Sequence, residues 1–439
     1  MIGPILAILI AFAAPTAPLA SSAGFAPDVA PRAEAPGSLD LGDPVLADLL
    51  ARAKLGSLDV RIALARLESA RADVDLARAG SRPQLTIGAE AAVGGQSFSS
   101  RAAGAGLPVL GGYEVDLFGR RKSSQRAAVA EEVAALDDAG QARQLVLAEV
   151  AKTYVALRDA QAHQAVSEET VRLSERIGDL IRRRQVEGVM LVSDVSAARI
   201  QEAQARAEAQ SAGRAVGAQC IRLGLLLGLG GPIGAPANVG DAIPPTPPVM
   251  TVSSDAVLTR PDIRAAQARL QAADARRAEA VAASRPRFLL TAGLGSGDAD
   301  LLYLLDVRAL AWALAGGLTH ELFDGGAAKA RIRHSAAEAQ FADLTYRKAV
   351  GEAWGQTRLQ LAQLQEATTT EALAGEVLNR SAAAFGAGQA RHADGDIDGL
   401  TLARLEVEVL SANKALSDAQ AARARAYIDL SLALGGQAP

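Results

Sequence analysis

The chain has 439 residues, a formal net charge of −4 and a single cysteine. This weakly acidic balance gives no broad positive field, which argues against nucleic acid as a partner. One cysteine excludes a disulfide framework within the chain, and the apolar sequence around Cys220 favours a packed core thiol. Length alone would allow two or three domains.

Residues 1–23 are interpreted as a secretory signal peptide. An apolar stretch over residues 2–14 is followed by prolines and small residues, and it is too short to span a bilayer. No Lys or Arg precedes Arg32, so the basic start typical of such signals is missing. We nevertheless expect the protein to be exported.

The first predicted structural repeat covers residues 24–231. Its helical pattern over 64–79 ends before Pro83, because proline favours extended geometry in the preceding residue. The apolar period then changes to two, which predicts a β-hairpin over residues 83–118, with a loop between its strands at 94–106. A proline-free stretch follows, from about Arg120 to Arg184, and as a helix it would be on the order of 100 Å long.

The second half of the sequence follows the same plan. Gly188 predicts the end of the first long helix, and Ser193 is a candidate N-cap of the helix that returns. A Pro-rich connector over residues 232–256 leads to a second structural repeat at 257–439. That repeat contains a predicted β-hairpin over 286–323, a long helix from about residue 327, a turn at 394–399 and a last helix to 434.

Short matching stretches indicate an internal duplication. "SRPQLTIGAE" begins at Ser81 and "SRPRFLLTAG" at Ser284, 203 residues later. "RQVEG" ending at Gly188 similarly matches "RHADG" ending at Gly395. Two hairpins supply four strands, whereas the smallest membrane barrels have about eight, and open sheet edges are not tolerated in lipid. If the strands lie in a membrane, several chains must therefore share one barrel.

Five stretches, together with the duplication, carry a family resemblance: "YEVDLFGR" at 113–120, "RPDIRAAQARLQAADA" at 260–275, "LFDGG" at 322–326, and the two R-x-x-[DE]-G turns. Through them the chain resembles the outer membrane efflux protein family, which is TolC-like, and especially its drug-efflux branch. The resemblance implies a mainly α fold with a membrane β-barrel. It implies a homotrimer whose 12-stranded β-barrel is continued by a periplasmic α-helical barrel, in the outer membrane of a Gram-negative bacterium. The partners that it implies are outer membrane lipid, a periplasmic adaptor protein and an inner-membrane efflux pump.

Three aspartates are candidates for the periplasmic entrance: Asp394, Asp396 and Asp398. Threefold symmetry would gather them around the mouth of the tunnel, where a ring of carboxylates favours cations, and the resemblance implies the same. A solvated acidic turn outside the lumen is the alternative. A calcium loop is a weaker one, because Leu405 stands where such a loop requires a bidentate Glu.

Two further groups of residues have predicted roles in contacts. The candidate adaptor-docking tips are Gly188, Ser193, Asp194 and Gly395. The candidate membrane-interface anchors are Tyr113, Phe288, Tyr303 and Trp312, since aromatic side chains favour that zone.

The sequence contains no recognisable catalytic constellation. A nucleophile elbow, a dinucleotide-binding glycine pattern and a zinc-protease motif are all missing, and four histidines are scattered along the chain. We therefore expect no enzyme activity, no cofactor and no metal site. The resemblance implies a passive outer-membrane exit channel for small molecules in a tripartite efflux system. The alternatives are a soluble periplasmic coiled-coil scaffold and an exit duct for type I polypeptide secretion.

Overall fold

A computed structural model describes residues 39, 41–88, 90–94, 102–106, 109–235, 257–296 and 310–435. The predicted signal peptide, Tyr303 and most of the predicted Pro-rich connector lie outside these residues.

The described part of the chain is mainly helical, with strands inserted at two places. The elements in chain order are α1 (Pro44–Gly56), α2 (Leu58–Ala79), β1 (Gln84–Ile87), β2 (Glu90–Gly94), β3 (Ala102–Gly106), β4 (Val109–Val115), α3 (Arg120–Val186), α4 (Val192–Leu226), α5 (Pro261–Ala283), β5 (Arg287–Ser296), β6 (Leu310–Thr319), α6 (Ala327–Ala393) and α7 (Gly399–Ala433). None of the helices in the described ranges contains an apolar stretch long enough to cross a bilayer.

The helix lengths are the same in the two halves of the chain. Helices α3 and α6 each have 67 residues, and α4 and α7 each have 35. At about 1.5 Å per residue, the longer pair extends on the order of 100 Å. Alanine is frequent at their buried positions, which favours close approach between helix backbones.

The main sheet has four antiparallel strands in the order β1-β4-β5-β6. Strands β2 and β3 pair with each other in a separate two-stranded ladder. The prediction of a loop over residues 94–106 was wrong at Gly94, which ends β2, and at Ala102–Gly106, which forms β3. Its residues are only alanine and glycine, so their sequence has no apolar alternation, although the backbone still completes a ladder of hydrogen bonds.

The register of the sheet gathers most of its large apolar residues on one face. Leu290 lies opposite Tyr113 and Gly316, and the same face continues through the other pairs. We call this the apolar sheet face, and its large members are Leu85, Ile87, Val109, Tyr113, Val115, Phe288, Leu290, Leu294, Trp312, Leu314 and Leu318. The opposite face has mostly small and polar residues, such as Gly112, Thr291 and Ala315. The strand alternation seen in the sequence is therefore confirmed across all four strands of the sheet.

The largest apolar core lies where the middle of α3 meets α1, the end of α4 and the end of α7. Tyr154 and Tyr427 are the largest side chains in it, and each is 1% exposed. The Tyr154 hydroxyl donates a 2.6 Å hydrogen bond to Asp43, whose carboxylate also caps α1 through the amide of Val45. Cys220 is buried in the same core, as its sequence context predicted.

Arg260 joins the start of α5 to the end of α7. Its guanidinium donates to the Ala433 carbonyl at 2.9 Å and makes a bidentate pair with Asp262, whose shorter N–O distance is 2.6 Å. It also reaches Gln356 on α6 at 3.2 Å. The Ala433 carbonyl lies in the last turn of α7, where no further helical amide can donate to it. Arg260 supplies a hydrogen bond to this carbonyl instead. The first three residues of "RPDIRAAQARLQAADA" therefore connect three helices.

Candidate functional site

The two turns that end the long helices have the same backbone design. Gly188 follows α3 with φ of 79°, and Gly395 follows α6 with φ of 83°. After α3, the amide of Gly188 donates to Gln185 and that of Val189 to Arg184. After α6, Gly395 donates to His392 and Asp396 to Arg391. Both are Schellman ends, which favour glycine in the left-handed conformation. We call residues 184–194 the first tip and residues 394–398 the second tip.

An ion pair links the two tips. Arg184 Nη2 lies 2.6 Å from Asp398 Oδ2, and Gly399 lies beside the Leu180 side chain. Asp398 is also the N-cap of α7, because its Oδ1 accepts a 2.7 Å hydrogen bond from the amide of Thr401. The hydrogen bonds from Thr401, followed by the one from Arg184, lower the pKa of Asp398 to about 2. Asp398 is therefore held in a fixed position between the tips.

The other two entrance candidates are more exposed. Asp394 is the C-cap residue of α6, and its amide donates to Ala390 at 3.0 Å. Asp396 lies in the turn itself, 3.9 Å from Arg391. The side chains of both residues are exposed. The three predicted entrance aspartates therefore lie in one five-residue turn, two exposed and one bound to Arg184.

The first tip differs from the second in its side chains. Four of its exposed side chains are large and apolar, and each is between 69% and 84% exposed: Val186, Val189, Leu191 and Val192. These exposed apolar residues were not predicted from the sequence. The apolar stretch "VEGVMLV" at the first tip, where the second tip has "ADGDIDG", could have indicated them. We call these four side chains the apolar tip patch.

The prediction that Ser193 caps α4 was wrong. The helix begins at Val192, so Ser193 is its second residue and is exposed. Asp194 supplies the terminal bond instead, since its Oδ2 accepts a 2.9 Å hydrogen bond from the amide of Leu191. A carboxylate in the first turn also interacts favourably with the helix dipole, which explains why the chain adopts this start.

Three of the four predicted membrane anchors lie on the apolar sheet face. Phe288 pairs with Leu318 at the end of the sheet nearest the helices, and Trp312 pairs with Leu294 towards the other end. Positions 288 and 294 are six residue steps apart along the strand, which corresponds to about 20 Å and is close to the height of a membrane apolar band. Tyr113 lies between them, and Trp312 is 79% exposed.

A compact charge cluster connects the sheet to α3. Glu114 projects from β4 on the face opposite Tyr113, and Arg120 Nη2 lies 2.6 Å from its Oε2. Arg121 Nη2 lies 3.0 Å from the same oxygen. Gly119 precedes these arginines with φ of 77°, which lets the chain turn from strand into helix. The stretch "YEVDLFGR" is thus a rigid junction between sheet and helix.

Comparison with known proteins settles the family. The sequence matches the family described as outer membrane efflux protein over residues 49–229 and 252–436. The chain belongs to the outer membrane efflux protein family. Like other members of this family, it is an outer-membrane efflux channel protein. Its fold is mainly α with a β-barrel, as the family resemblance implied.

Named relatives are similar over most of the chain. The solvent efflux pump outer membrane protein SrpC of Pseudomonas putida is 29% identical, over 90% of this chain and 86% of its own. Outer membrane protein OprJ of Pseudomonas aeruginosa is 30% identical, over 86% of this chain and 80% of its own. The open-state crystal structure of the MtrE outer membrane channel of Neisseria gonorrhoeae is 27% identical, with a TM-score of 0.78 over 90% of this chain and 89% of that one. The family's function is transport, not catalysis.

Proposed function

We propose that three copies of this chain close a 12-stranded barrel in the outer membrane, continued by a tunnel of the long helices. The observation that carries this proposal is the four-stranded sheet with one apolar face. Among the described residues, β1 pairs only with β4 and β6 only with β5, so both outer edges have unsatisfied backbone groups. Lipid does not tolerate such edges, and pairing β6 of one copy with β1 of the next would remove them.

Exposed apolar side chains on α6 support the same assembly. Phe341 and Leu344 are 68% and 57% exposed, and Leu373 and Val377 are 58% and 53% exposed. Each pair has helical spacing and therefore lies on one face of α6. Patches of this kind on a long helix are typical of a surface covered by another chain.

We propose that the chain consists of two structural repeats, at residues 24–231 and 257–439. The equal lengths of α3 and α6, and of α4 and α7, support this division. The family match in two separate segments, one in each half, also supports it.

The proposed cargo is small molecules, delivered by an inner-membrane pump through a periplasmic adaptor. Relatives are named as solvent, toluene or antibiotic efflux pump proteins, which favours small molecules over the secretion of polypeptides. The charge and hydrophobicity of the cargo would be set mainly by the pump, because the duct itself is passive.

We propose that the two tips have different tasks. The apolar tip patch offers the adaptor a surface that loses water on docking. Gly188 and Asp194 hold the backbone of this turn, and Ser193 is exposed beside the patch. The second tip, with Gly395, presents carboxylates around the entrance. In the prediction from the sequence, both tips were docking sites and the second tip also carried the entrance carboxylates.

An export assay tests the docking role of the first tip. Leu191→Asp should abolish pump-dependent export, because it places a charge in the apolar tip patch. Ile200→Asp is the matched control, since Ile200 is also exposed on α4 but lies about two turns further along. The readout is accumulation of a fluorescent pump substrate in cells that depend on this channel, with trimer content measured in parallel. Normal export by Leu191→Asp would contradict the docking role.

A further inference from the structure

Three potential metal ligands meet between α3 and α7, far from both tips. Asp159 and His163 lie one turn apart on α3, and Asp418 faces them from α7. His163 Nε2 lies 3.0 Å from Asp418 Oδ1 and 3.6 Å from Asp159 Oδ1. The three ligand atoms all lie within 4.8 Å of one another.

The position of the His163 ring nitrogen favours metal binding. Nε2 is shielded from solvent, and it forms no hydrogen bond of ordinary geometry with any group in the described residues. A nitrogen in this setting faces two carboxylates without a well-aligned partner. A neutral imidazole with a free lone pair is the form in which histidine binds metals.

The distances between the His163 nitrogen and the two carboxylate oxygens match those between ligand atoms of a tetrahedral zinc site. Zinc lies about 2.0–2.2 Å from nitrogen and carboxylate ligands, so neighbouring ligands of a tetrahedral site are about 3.3–3.5 Å apart. The observed separations of 3.0 and 3.6 Å bracket that range. One imidazole and two carboxylates leave the fourth position to water. Calcium and magnesium are poorer matches, because they prefer all-oxygen ligand sets.

Neighbouring groups orient one of the three ligands and leave one side of the cluster open to solvent. Ser417 Oγ donates a 2.9 Å hydrogen bond to Asp159 Oδ1, which holds that carboxylate in place, as outer partners of metal ligands do. The Asp159 and His163 side chains are 15% and 23% exposed, whereas that of Asp418 is 55% exposed. The cluster is therefore partly buried and has one open side for an ion.

We propose that Asp159, His163 and Asp418 bind one Zn²⁺-type divalent cation per chain. This departs from the expectation from the sequence that the protein has no metal site. The ion would connect α3, from the first half of the chain, to α7, from the second half. Because the unfolded chain cannot assemble these ligands, bound ion would stabilise the folded state.

The test uses detergent-extracted, full-length protein without a histidine tag, stripped with chelator and titrated with Zn²⁺ by calorimetry. We expect one Zn²⁺ per chain and a rise in the thermal unfolding midpoint on adding Zn²⁺. His163→Gln and Asp418→Asn should each weaken Zn²⁺ binding at least tenfold and remove the midpoint rise. Ser417→Ala keeps all three ligands and should weaken binding by about tenfold, as loss of an outer partner does.

His334→Gln is the matched control, because His334 is an exposed histidine on α6 outside the cluster. It should bind Zn²⁺ as the unaltered chain does. Equal Zn²⁺ affinity in the unaltered chain and in His163→Gln would overturn the proposal by placing the ion elsewhere. Failure of the unaltered chain to bind Zn²⁺ saturably would also overturn it.

Discussion

Asp398 has two structural tasks, and both need its negative charge. It caps α7 through Thr401 and pairs with Arg184 across the tips. These bonds lower its pKa from an ordinary 3.8 to about 2. Because the folded-state pKa is lowered, the resulting stabilisation is fully present above about pH 4 and is lost as the pH falls through about 2. The link between the tips therefore persists across the physiological range.

Cation selectivity at the entrance should depend on the two exposed carboxylates more than on Asp398. Replacing Asp394 and Asp396 together with Asn removes up to six charges from a trimeric mouth, so the reversal potential in a KCl gradient should shift towards zero. Bilayer recordings measure this shift. Glu208→Gln is the control, because Glu208 lies on α4 well beyond the first tip. This substitution should leave the reversal potential unchanged. A double variant with unaltered selectivity would place these carboxylates outside the lumen.

The turns themselves could be predicted from the sequence, because glycine in "RQVEG" and "RHADG" marks a left-handed position. The Arg184–Asp398 pair could not, since its members are 214 residues apart and lie in different halves of the chain. His163 and Asp418 were missed for the same reason. Single-chain patterns detect neighbours along a helix, but not side chains that meet only when two long helices pack.

At the scale of elements, the long helices and most of the strands could be predicted from the sequence. The long helices were predictable because proline is missing and glycine is rare over more than sixty residues. The apolar face of the strands was predictable from a period of two. Strand β3 was not, because alanine and glycine give no alternation to detect.

Arginine should be tolerated on one face of β6 and not on the other. Leu314 is 70% exposed on the apolar sheet face, and its neighbour Ala315 lies on the opposite face. Leu314→Arg should destabilise the barrel by roughly 2–4 kcal/mol, the cost of arginine in lipid near mid-depth. Ala315→Arg should cost much less, because in the proposed barrel its face lines the lumen. Heat-dependent unfolding in outer-membrane fractions compares the two. Equal losses would argue against the assignment of the faces.

At the scale of the whole molecule, one chain is incomplete. Its sheet has two open edges, and α6 has exposed apolar pairs along its length. Both features are explained if neighbouring copies cover them. The sequence could indicate the need for partners, because four strands cannot close a barrel, whereas the number three came from the family resemblance.

The most direct test of this account is the native mass of the protein extracted from outer membranes in detergent. Light scattering with correction for bound detergent should give three chains per particle. The sample should come from the outer-membrane fraction after separation from the periplasm. A monomer or dimer in that measurement, or recovery as a soluble periplasmic protein, would contradict the shared barrel.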